Sequence, residues 1–375
     1  MQKNKNLIKM NKKKTRPYRV LCLDGGGMRG LYTATVLKTL TQRFSVVDNE
    51  CDIGKGFDLI VGTSTGGILA CGIAAGISIE TIIQIYKIHG EKIFTHPIPT
   101  KIIPKILWAK KNLRHPANIN ENLRAILKDI FINETLGELY QRRKIGLCLT
   151  SVNVATHNSR VFKTAHDPYK NADDYFKLID ICLATSAAPL ILPIAEIENP
   201  HEKGHISNYV DGGLWANNPV LVGLIEALHV SDTKQAIEII SIGTCPPPSG
   251  TSMIGNEAQR GLLGWNFGIK VLELSMDAQS SGHHFMAELL AQYFNRCGRE
   301  IKILRLEQSS PSSEQALHLG LDNASKKACY TLTELGQADA LKIYGKAIGQ
   351  KSNYNLLNEI FKSMPILETK GEEAI

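Results

Sequence analysis

The chain has 375 residues, of which 43% are hydrophobic, and its formal net charge is +7. A chain of this length and composition can bury a large apolar core, which argues against a disordered protein. No window approaches twenty consecutive apolar residues, so a membrane-spanning helix is not expected.

Much of the positive charge lies in the first 19 residues: Lys3, Lys5, Lys9, Lys12, Lys13, Lys14, Arg16 and Arg19. Residues 1–17 are expected to form a basic flexible tail, or a segment that is attracted to anionic lipid or nucleic acid. No continuous apolar segment with a small-residue cleavage site follows, so a secretory signal is not expected, and the eight cysteines are scattered without a Cys-x-x-Cys pair. A cytoplasmic protein with reduced thiols is therefore expected, with Met1 and Met10 as alternative starts.

A glycine-rich loop is the first motif along the chain. Residues 18–23 predict a buried strand, residues 31–44 predict a helix, and Asp24-Gly25-Gly26-Gly27-Met28-Arg29-Gly30 lies between them. Three glycines before a helix expose backbone N–H groups, which favours the binding of negative charge. The loop also fits the dinucleotide pattern Gly-x-Gly-x-x-Gly, but that alternative leaves two later motifs unexplained.

Ser64 lies between a predicted buried strand, residues 57–61, and an apolar predicted helix, residues 68–79. Gly62 and Gly66 flank the serine in the pattern Gly-x-Ser-x-Gly. These glycines remove Cβ atoms where chain segments crowd, so the serine can occupy a sharp turn between strand and helix. The pattern predicts a nucleophile elbow, although alone it also fits a glycine-rich turn with a solvated serine.

Residues 95–140 are predicted to form a cap-like helical insertion. Within it, residues 98–114 combine large apolar side chains with five basic residues. This composition is typical of a segment at a membrane interface, and it equally fits an ordinary cap beside an active-site entrance.

The remaining chain alternates predicted strands with predicted helices. Strands are predicted at residues 144–154, 160–164, 205–210, 236–243 and 300–306, and helices at residues 174–188, 219–228, 269–293, 324–335 and 337–348. Residues 18–350 are therefore expected to form one domain, followed by a loosely attached tail at residues 351–375. Asp211 follows the carboxyl end of the predicted strand 205–210, where open α/β sheets bind ligands, although capping of a turn or helix would explain it as well.

Acyl transfer needs a nucleophile, a base and hydrogen-bond donors for the developing oxyanion. Ser64 is the candidate nucleophile, and the loop of Gly25, Gly26 and Gly27 offers candidate donors. A Ser-His-Asp triad is one alternative, because four histidines follow Asp211: His229, His283, His284 and His318. None of them is predicted in a turn after a strand, where a triad histidine is normally presented.

Four motifs in this order resemble the patatin-like phospholipases: Asp24 to Gly30, Gly62 to Gly67, Ala184-Thr185-Ser186-Ala187-Ala188-Pro189, and Asp211-Gly212-Gly213 with Asn217-Asn218-Pro219. The resemblance covers residues 19–348. It implies a three-layer α/β/α sandwich with a central, mostly parallel sheet and helical insertions. It also implies a Ser64–Asp211 dyad without histidine, Asp211 as proton acceptor, and an oxyanion hole formed by the backbone of Gly25, Gly26, Gly27 and Arg29. Arg29 would also fit an anionic head group.

An aspartate base raises a physical difficulty, because a free aspartate has a pKa near ~3.9 and is a weak base. Burial would raise the pKa of Asp211, and oxyanion donors would stabilise the charge that forms as the proton moves. With aspartate in place of histidine, the activity is expected to show no histidine-like inflection between about pH 6 and 8.

The resemblance further implies a phospholipase A activity that cleaves acyl esters of membrane phospholipids by peripheral contact with the inner face of the membrane. The opening at residues 23–37 resembles bacterial antiphage phospholipases switched on by cyclic di- or oligonucleotides, so such a nucleotide is an expected activator. No metal site, cofactor, DNA or RNA is expected. A homodimer is left open, and a non-catalytic nucleotide- or lipid-binding module is the alternative from another class.

Overall fold

The structure is a computed structural model that describes residues 16–45, 49–99, 102–167, 172–246, 255–261, 264–265, 268–349 and 353–368. The described residues form these strands: β1 (Tyr18–Leu23), β2 (Leu59–Thr63), β3 (Gly146–Asn153), β4 (Asn158–Lys163), β5 (Ala195–Glu198), β6 (Ile206–Asp211), β7 (Ile237–Ile242) and β8 (Ile301–Arg305).

The α-helices of the described chain are α1 (Gly30–Phe44), α2 (Thr65–Ala75), α3 (Ile79–Gln84), α4 (Gly90–Ile93), α5 (Ile102–Lys111), α6 (Glu121–Phe131), α7 (Leu136–Arg143), α8 (Leu178–Ser186), α9 (Gly213–Ala216), α10 (Val220–Val230), α11 (Ile269–Arg296), α12 (Ser313–Ala316), α13 (Lys326–Ile348) and α14 (Asn355–Lys362). A π-helix, Ile85–His89, joins α3 to α4. None of the helices in this part of the chain is both long and apolar enough to cross a bilayer.

The strands form one mixed sheet with a parallel centre. Strands β3, β2, β1, β7 and β8 lie side by side in that order and run parallel. Strand β4 is antiparallel to β3, and the β5–β6 hairpin is antiparallel as well. A parallel sheet needs both faces covered, which explains the continuous apolar runs of its central strands. The predicted sandwich with a mostly parallel sheet is confirmed.

Alternate residues of β1 show the two covered faces. Leu21 and Leu23 belong to the larger apolar core, on the face packed by α1, α2, α8 and α13. Val20 and Cys22 belong to a smaller core on the face packed by α10 and α11. Side chains of a strand point alternately to opposite faces, so the apolar residues from Val20 to Leu23 contact both helical layers.

The register of β3 brings β6 to the end of β2. Strand β2 pairs with β3 as far as Thr63, opposite Thr150. The next residue of β3, Ser151, pairs with Asp211 of β6. Because β4 occupies the other edge of β3, β6 must lie on the edge that β2 has just left. The last residue of β6 therefore stands directly beyond the last residue of β2.

Two expectations about the C-terminal region need correction. Residues 326–348 form one helix, α13, rather than two, because Gly336 does not interrupt it. A Cβ atom at this glycine would lie 2.9 Å from the carbonyl oxygen of Tyr32, so its absence lets α13 pack closely on α1. The expected tail contains α14, whose buried face joins the larger core through Leu357 and Phe361. Residues 1–15 and 369–375 lie outside the described residues.

Candidate active site

Ser64 occupies a strained turn between β2 and α2. Its φ and ψ are 56° and −130°, a conformation that side-chain-bearing residues rarely adopt. A Cβ atom at Gly62 would lie 2.4 Å from the carbonyl oxygen of Gly66, and one at Gly66 would lie 2.3 Å from that of Asp24. The two flanking positions thus lack room for a larger residue, as expected for a sharp elbow.

The hydroxyl of Ser64 donates a hydrogen bond to Asp211 Oδ2 over 2.6 Å. Both side chains are buried, with 7% and 5% of their surface exposed. The backbone N–H of Gly213 donates to the other oxygen, Asp211 Oδ1, over 2.7 Å. The carboxylate is therefore held from both sides, with one oxygen directed at the serine.

Burial raises the pKa of Asp211 to about 6, and the hydrogen bonds from Ser64 and Gly213 oppose the shift. A carboxylate with this pKa is a much better base than a free aspartate, yet it is still ionised at neutral pH. Burial thus brings the pKa of Asp211 close to the ordinary pKa of histidine, so an inflection near pH 6 would not by itself distinguish an aspartate base from a histidine base.

The glycine loop runs against Ser64 and lines the same pocket. In this conformation Gly25 N–H donates to the carbonyl of Asn217, and Arg29 N–H donates to that of Gly26. The N–H groups of Gly26 and Gly27 have no acceptor within the described chain, and both glycines line the pocket that contains Ser64. Of the four residues expected to form the oxyanion hole, these two offer free donors.

Gly27 has a φ of +58°, which favours glycine, and a Cβ atom there would lie 2.0 Å from the carbonyl oxygen of Leu321. The next N–H, that of Met28, donates to the same carbonyl over 2.7 Å. These contacts fix the loop as it enters α1.

The side chain of Arg29 is buried, and its Nε has no hydrogen-bond partner among the described residues. Burial lowers the pKa of its guanidinium, while the nearby carboxylates of Asp277 and Glu273 oppose the shift. Arg29 thus faces the first half of α11, which also reaches the pocket, and it keeps an unused donor for an anionic group.

Two residues that sequence reasoning did not assign support the site. Thr185 Oγ1 accepts a hydrogen bond from Ser64 N–H over 3.0 Å, which stabilises the turn that carries the serine. The guanidinium of Arg305 donates to both carboxylate oxygens of Asp24, at the start of the glycine loop. The motif Ala184 to Pro189 was a signal for the first contact. No sequence signal pointed to Arg305, because the pair joins residues 281 positions apart.

A deep apolar pocket opens above Ser64. It encloses about 1040 Å³ of space between its walls, open solvent at its mouth included. Ser64 and Asp211 lie in its wall, and most other lining side chains are aliphatic or aromatic: Met28, Ile68, Ile82, Tyr86, Ile93, Phe94, Leu123, Leu127, Leu192, Leu272 and Met276 among them. Such a lining suits a long hydrocarbon chain with one polar, reactive end.

The candidate triad histidines lie elsewhere in the described structure. His229 pairs with Asp167, His283 Nδ1 contacts the carbonyl of Asn218, and His284 lies near Glu288. Within the described residues, no histidine lines the pocket or hydrogen-bonds to Ser64 or Asp211. The geometry therefore offers no histidine base in this conformation.

Among the described residues, one group of side chains could hold a metal ion by donor spacing alone, namely Cys148, His166 and Glu226. Its donors are already used, since His166 Nε2 contacts Glu226 and the Lys163 ammonium bonds to the same carboxylate. Burial also raises the pKa of the Cys148 thiol well above its ordinary value. A cation would have to displace the lysine and ionise the thiol.

Comparisons with known proteins identify similar sequences and a similar solved structure. The model of the patatin-like phospholipase family matches residues 21–224. A cGAMP-activated phospholipase of Pseudomonas aeruginosa is 32% identical over 336 residues, 89% of this chain and 91% of that protein. A cGAMP-activated phospholipase of Vibrio cholerae is 30% identical over 338 residues, 88% of this chain and 92% of that protein. Human GIVD cytosolic phospholipase A2 aligns with a TM-score of 0.44 and 9% identity, over 92% of this chain and 60% of that chain, a likeness too remote to carry an argument.

Proposed function

Because the chain belongs to the patatin-like phospholipase family, we propose that it hydrolyses acyl esters of membrane phospholipids with Ser64 as nucleophile and Asp211 as base. The observation that carries this proposal is the 2.6 Å hydrogen bond from Ser64 Oγ to Asp211 Oδ2 inside an apolar pocket.

In the first half of the reaction, Asp211 Oδ2 takes the hydroxyl proton as Ser64 Oγ bonds to the ester carbonyl carbon. The carbonyl π electrons move to the oxygen, which becomes an oxyanion near the N–H groups of Gly26 and Gly27 and the N-terminus of α2. When the tetrahedral intermediate collapses, the ester C–O bond breaks and the leaving alkoxide takes the proton from Asp211. The products are a lysophospholipid and an acyl-serine.

In the second half, a water molecule attacks the acyl carbon while Asp211 accepts its proton. Collapse of the second tetrahedral intermediate breaks the bond to Ser64 Oγ, which regains a proton from Asp211. A free fatty acid leaves the pocket. The apolar walls hold the chain in both halves, and Arg29 is a candidate contact for the phosphate of the head group.

Regulation is the second part of the proposal. The relatives in P. aeruginosa and V. cholerae are cGAMP-activated phospholipases, and we extend activation by a cyclic nucleotide to this chain. The enzyme would then act peripherally at the inner face of the membrane as an antiphage effector, silent until the nucleotide binds. A phospholipase that attacks the membrane of its own cell needs such control.

The proposal is tested by release of fatty acid from phospholipid vesicles, with and without a panel of cyclic nucleotides that includes cGAMP. The Ser64→Ala and Asp211→Asn variants should lose this activity while keeping the fold, as judged by circular dichroism. Wild-type activity that needs both residues and rises with one nucleotide supports the full proposal. Activity that survives Ser64→Ala contradicts the mechanism, and activity that is independent of nucleotide removes the regulatory part. Absence of hydrolysis under every condition would favour a non-catalytic binding module.

A further inference from the structure

Helix α5 exposes its apolar face to solvent, whereas an ordinary surface helix buries that face. Ile103, Ile106 and Leu107 share one face by their spacing and are 69%, 43% and 63% exposed. The opposite face, which includes Lys105 and Trp108, is only half-exposed. Trp108 Nε1 donates to the carbonyl of His96 over 3.1 Å, so this polar contact attaches the inner face to the protein.

Three large aliphatic side chains on one exposed helix face are costly in water. No described side chain of α5 is fully buried, so the helix contributes little to the apolar core. The apolar face therefore requires an apolar partner.

The charge of this region identifies the partner. Between Glu91 and Glu121 there is no acidic residue, and six residues are basic: Lys92, Lys101, Lys105, Lys110, Lys111 and Arg114. Lys110 falls on the apolar face itself, one turn beyond Leu107, and Lys111 lies beside it. Aliphatic side chains bordered by lysines match an anionic lipid surface, in which the side chains enter the acyl region and the ammonium groups meet phosphates.

The position of α5 supports the same partner. The segment that carries it is bounded by Phe94 and Leu123, which both line the catalytic pocket. Lys105 lines a depression together with Leu272 and Met276 of α11, two residues that also line the catalytic pocket. The inner face of α5 thus borders the route by which an acyl chain would reach Ser64, and the apolar face lies on the outer side of the same helix.

We propose that the exposed face of α5, formed by Ile103, Ile106, Leu107 and Lys110, is the surface that docks the enzyme on anionic membranes and presents its pocket to the bilayer. This inference rests on the proposed function for its purpose, but docking can be measured without catalysis. Bound in this way, the enzyme would draw lipid from the membrane directly into the pocket.

The test measures cosedimentation with vesicles in a Ser64→Ala background, which keeps the lipids intact. Vesicles of equal parts phosphatidylcholine and phosphatidylglycerol are compared with pure phosphatidylcholine, each with and without cGAMP. Replacement of Ile103 and Leu107 by Ser should weaken binding to the anionic vesicles by roughly tenfold or more. Replacement of Lys110 and Lys111 by Gln should weaken it by roughly fivefold per lysine, and added salt should remove that difference.

Ile225→Ser is the matched control, because Ile225 is 52% exposed on α10, which lines neither the catalytic pocket nor the depression beside α5. Equal binding by the Ile103→Ser/Leu107→Ser variant and its parent, or equal loss in the control, would overturn the proposal. A shift from dimer to monomer in that variant with unchanged vesicle binding would also overturn it, since the face would then join two copies of the chain.

Hydrolysis of a water-soluble short-chain ester separates this inference from the proposed function. With cGAMP present, the chain that keeps Ser64 and carries the α5 substitutions should hydrolyse this ester at the wild-type rate while its attack on vesicles falls. If even the wild type fails to hydrolyse the ester, the proposed function is in doubt, whereas the vesicle-binding result still decides the role of α5.

Discussion

Arg305 and Asp24 form a two-pronged ion pair between the last strand of the sheet and the first residue of the glycine loop. Arg305 Nη1 donates to Asp24 Oδ1 over 2.8 Å and Nη2 donates to Oδ2, while Nη1 also contacts Ser241 Oγ. Burial raises the pKa of the Asp24 carboxyl, and Arg305 opposes that shift. The charge of Asp24 at the base of the loop therefore depends on Arg305.

Arg305→Met should destabilise the protein by about 3 kcal/mol, because it leaves a buried carboxylate without its partner. Activity should fall as well, since the loop that carries Gly26 and Gly27 starts at Asp24. Urea unfolding and ester hydrolysis measure the two effects. The double variant Arg305→Met/Asp24→Asn should be more stable than Arg305→Met alone. If Asp24→Asn destabilises the Arg305→Met variant as much as it destabilises the wild type, the two residues are not energetically coupled.

Asp211→Asn should separate stability from activity. The folded-state pKa of Asp211 is about 6, above its ordinary value of 3.8. The folded protein therefore binds more protons than the unfolded chain between these values, and this group makes the free energy of unfolding decrease as pH rises through that window. Above about pH 6, burial of the ionised carboxylate lowers the free energy of unfolding by its full amount, on the order of 3 kcal/mol.

An uncharged amide avoids that cost. Asp211→Asn should thus be more stable than wild type at pH 8, by about 1–3 kcal/mol, and the difference should vanish near pH 4. The variant should release no fatty acid, whereas the kcat/KM of the wild type should rise with pH around an apparent pKa near 6. A variant less stable than wild type at pH 8 would show that the carboxylate is stabilising. Replacement of His283 and His284 should leave the pH profile in place if Asp211 is the titrating group.

Thr185→Val should damage the elbow while preserving the shape of the core. Thr185 is fully buried and its hydroxyl accepts the Ser64 N–H over 3.0 Å, so valine leaves this N–H without a partner. A buried unsatisfied donor costs about 1–3 kcal/mol, and the position of Ser64 should become less defined. Thr185→Ser is the control, because it keeps the hydroxyl and loses only a methyl group. Thermal unfolding and kcat should both rank wild type and Thr185→Ser above Thr185→Val, and equal values for Val and Ser would dismiss the role of the hydrogen bond.

The sequence identified the two residues that form the 2.6 Å contact, but for Asp211 the reasoning was only partly right. It placed Asp211 at the carboxyl end of a strand in an open sheet, where parallel strands bring their ligands together. In the structure β6 is antiparallel, and it reaches Ser64 because it occupies the edge of β3 that β2 leaves after Thr63. Strand direction depends on long-range pairing, which a local pattern of apolar residues does not contain.

Other features escaped for similar physical reasons. Strand β5 has four residues with alternating burial, too short for a periodic signal. A glycine inside a helical pattern predicts a helix end, and the sequence does not show that Gly336 is needed for close packing against Tyr32 of α1. Helix α14 resembled a tail because it is short, and its apolar side is covered only by the folded core. The spacing of a motif is visible in a short stretch of sequence, whereas the residues that cover an apolar face come from distant parts of the chain.

Met276→Trp should narrow the entrance to the catalytic pocket. Met276 is half-buried and lines both the pocket around Ser64 and the depression beside α5. Its terminal methyl group already lies 3.2 Å from the point where a Cβ of Gly213 would stand. A bulky indole at this junction should hinder a long acyl chain, whereas a short ester should still reach Ser64. We therefore expect kcat/KM for long-chain phospholipid to fall by about tenfold or more, with little change for a butyrate ester.

Met276→Leu is the matched control, since it keeps an aliphatic side chain of nearly the same volume and should leave both substrates unaffected. A ladder of ester substrates with increasing chain length measures the effect, and the length at which the Trp variant loses activity reports the depth of the junction. An equal loss for short and long esters would mean that the substitution disturbs Ser64 or Asp211 directly. Equal activity of the Trp variant on every chain length would place the acyl route elsewhere in the pocket, away from α11.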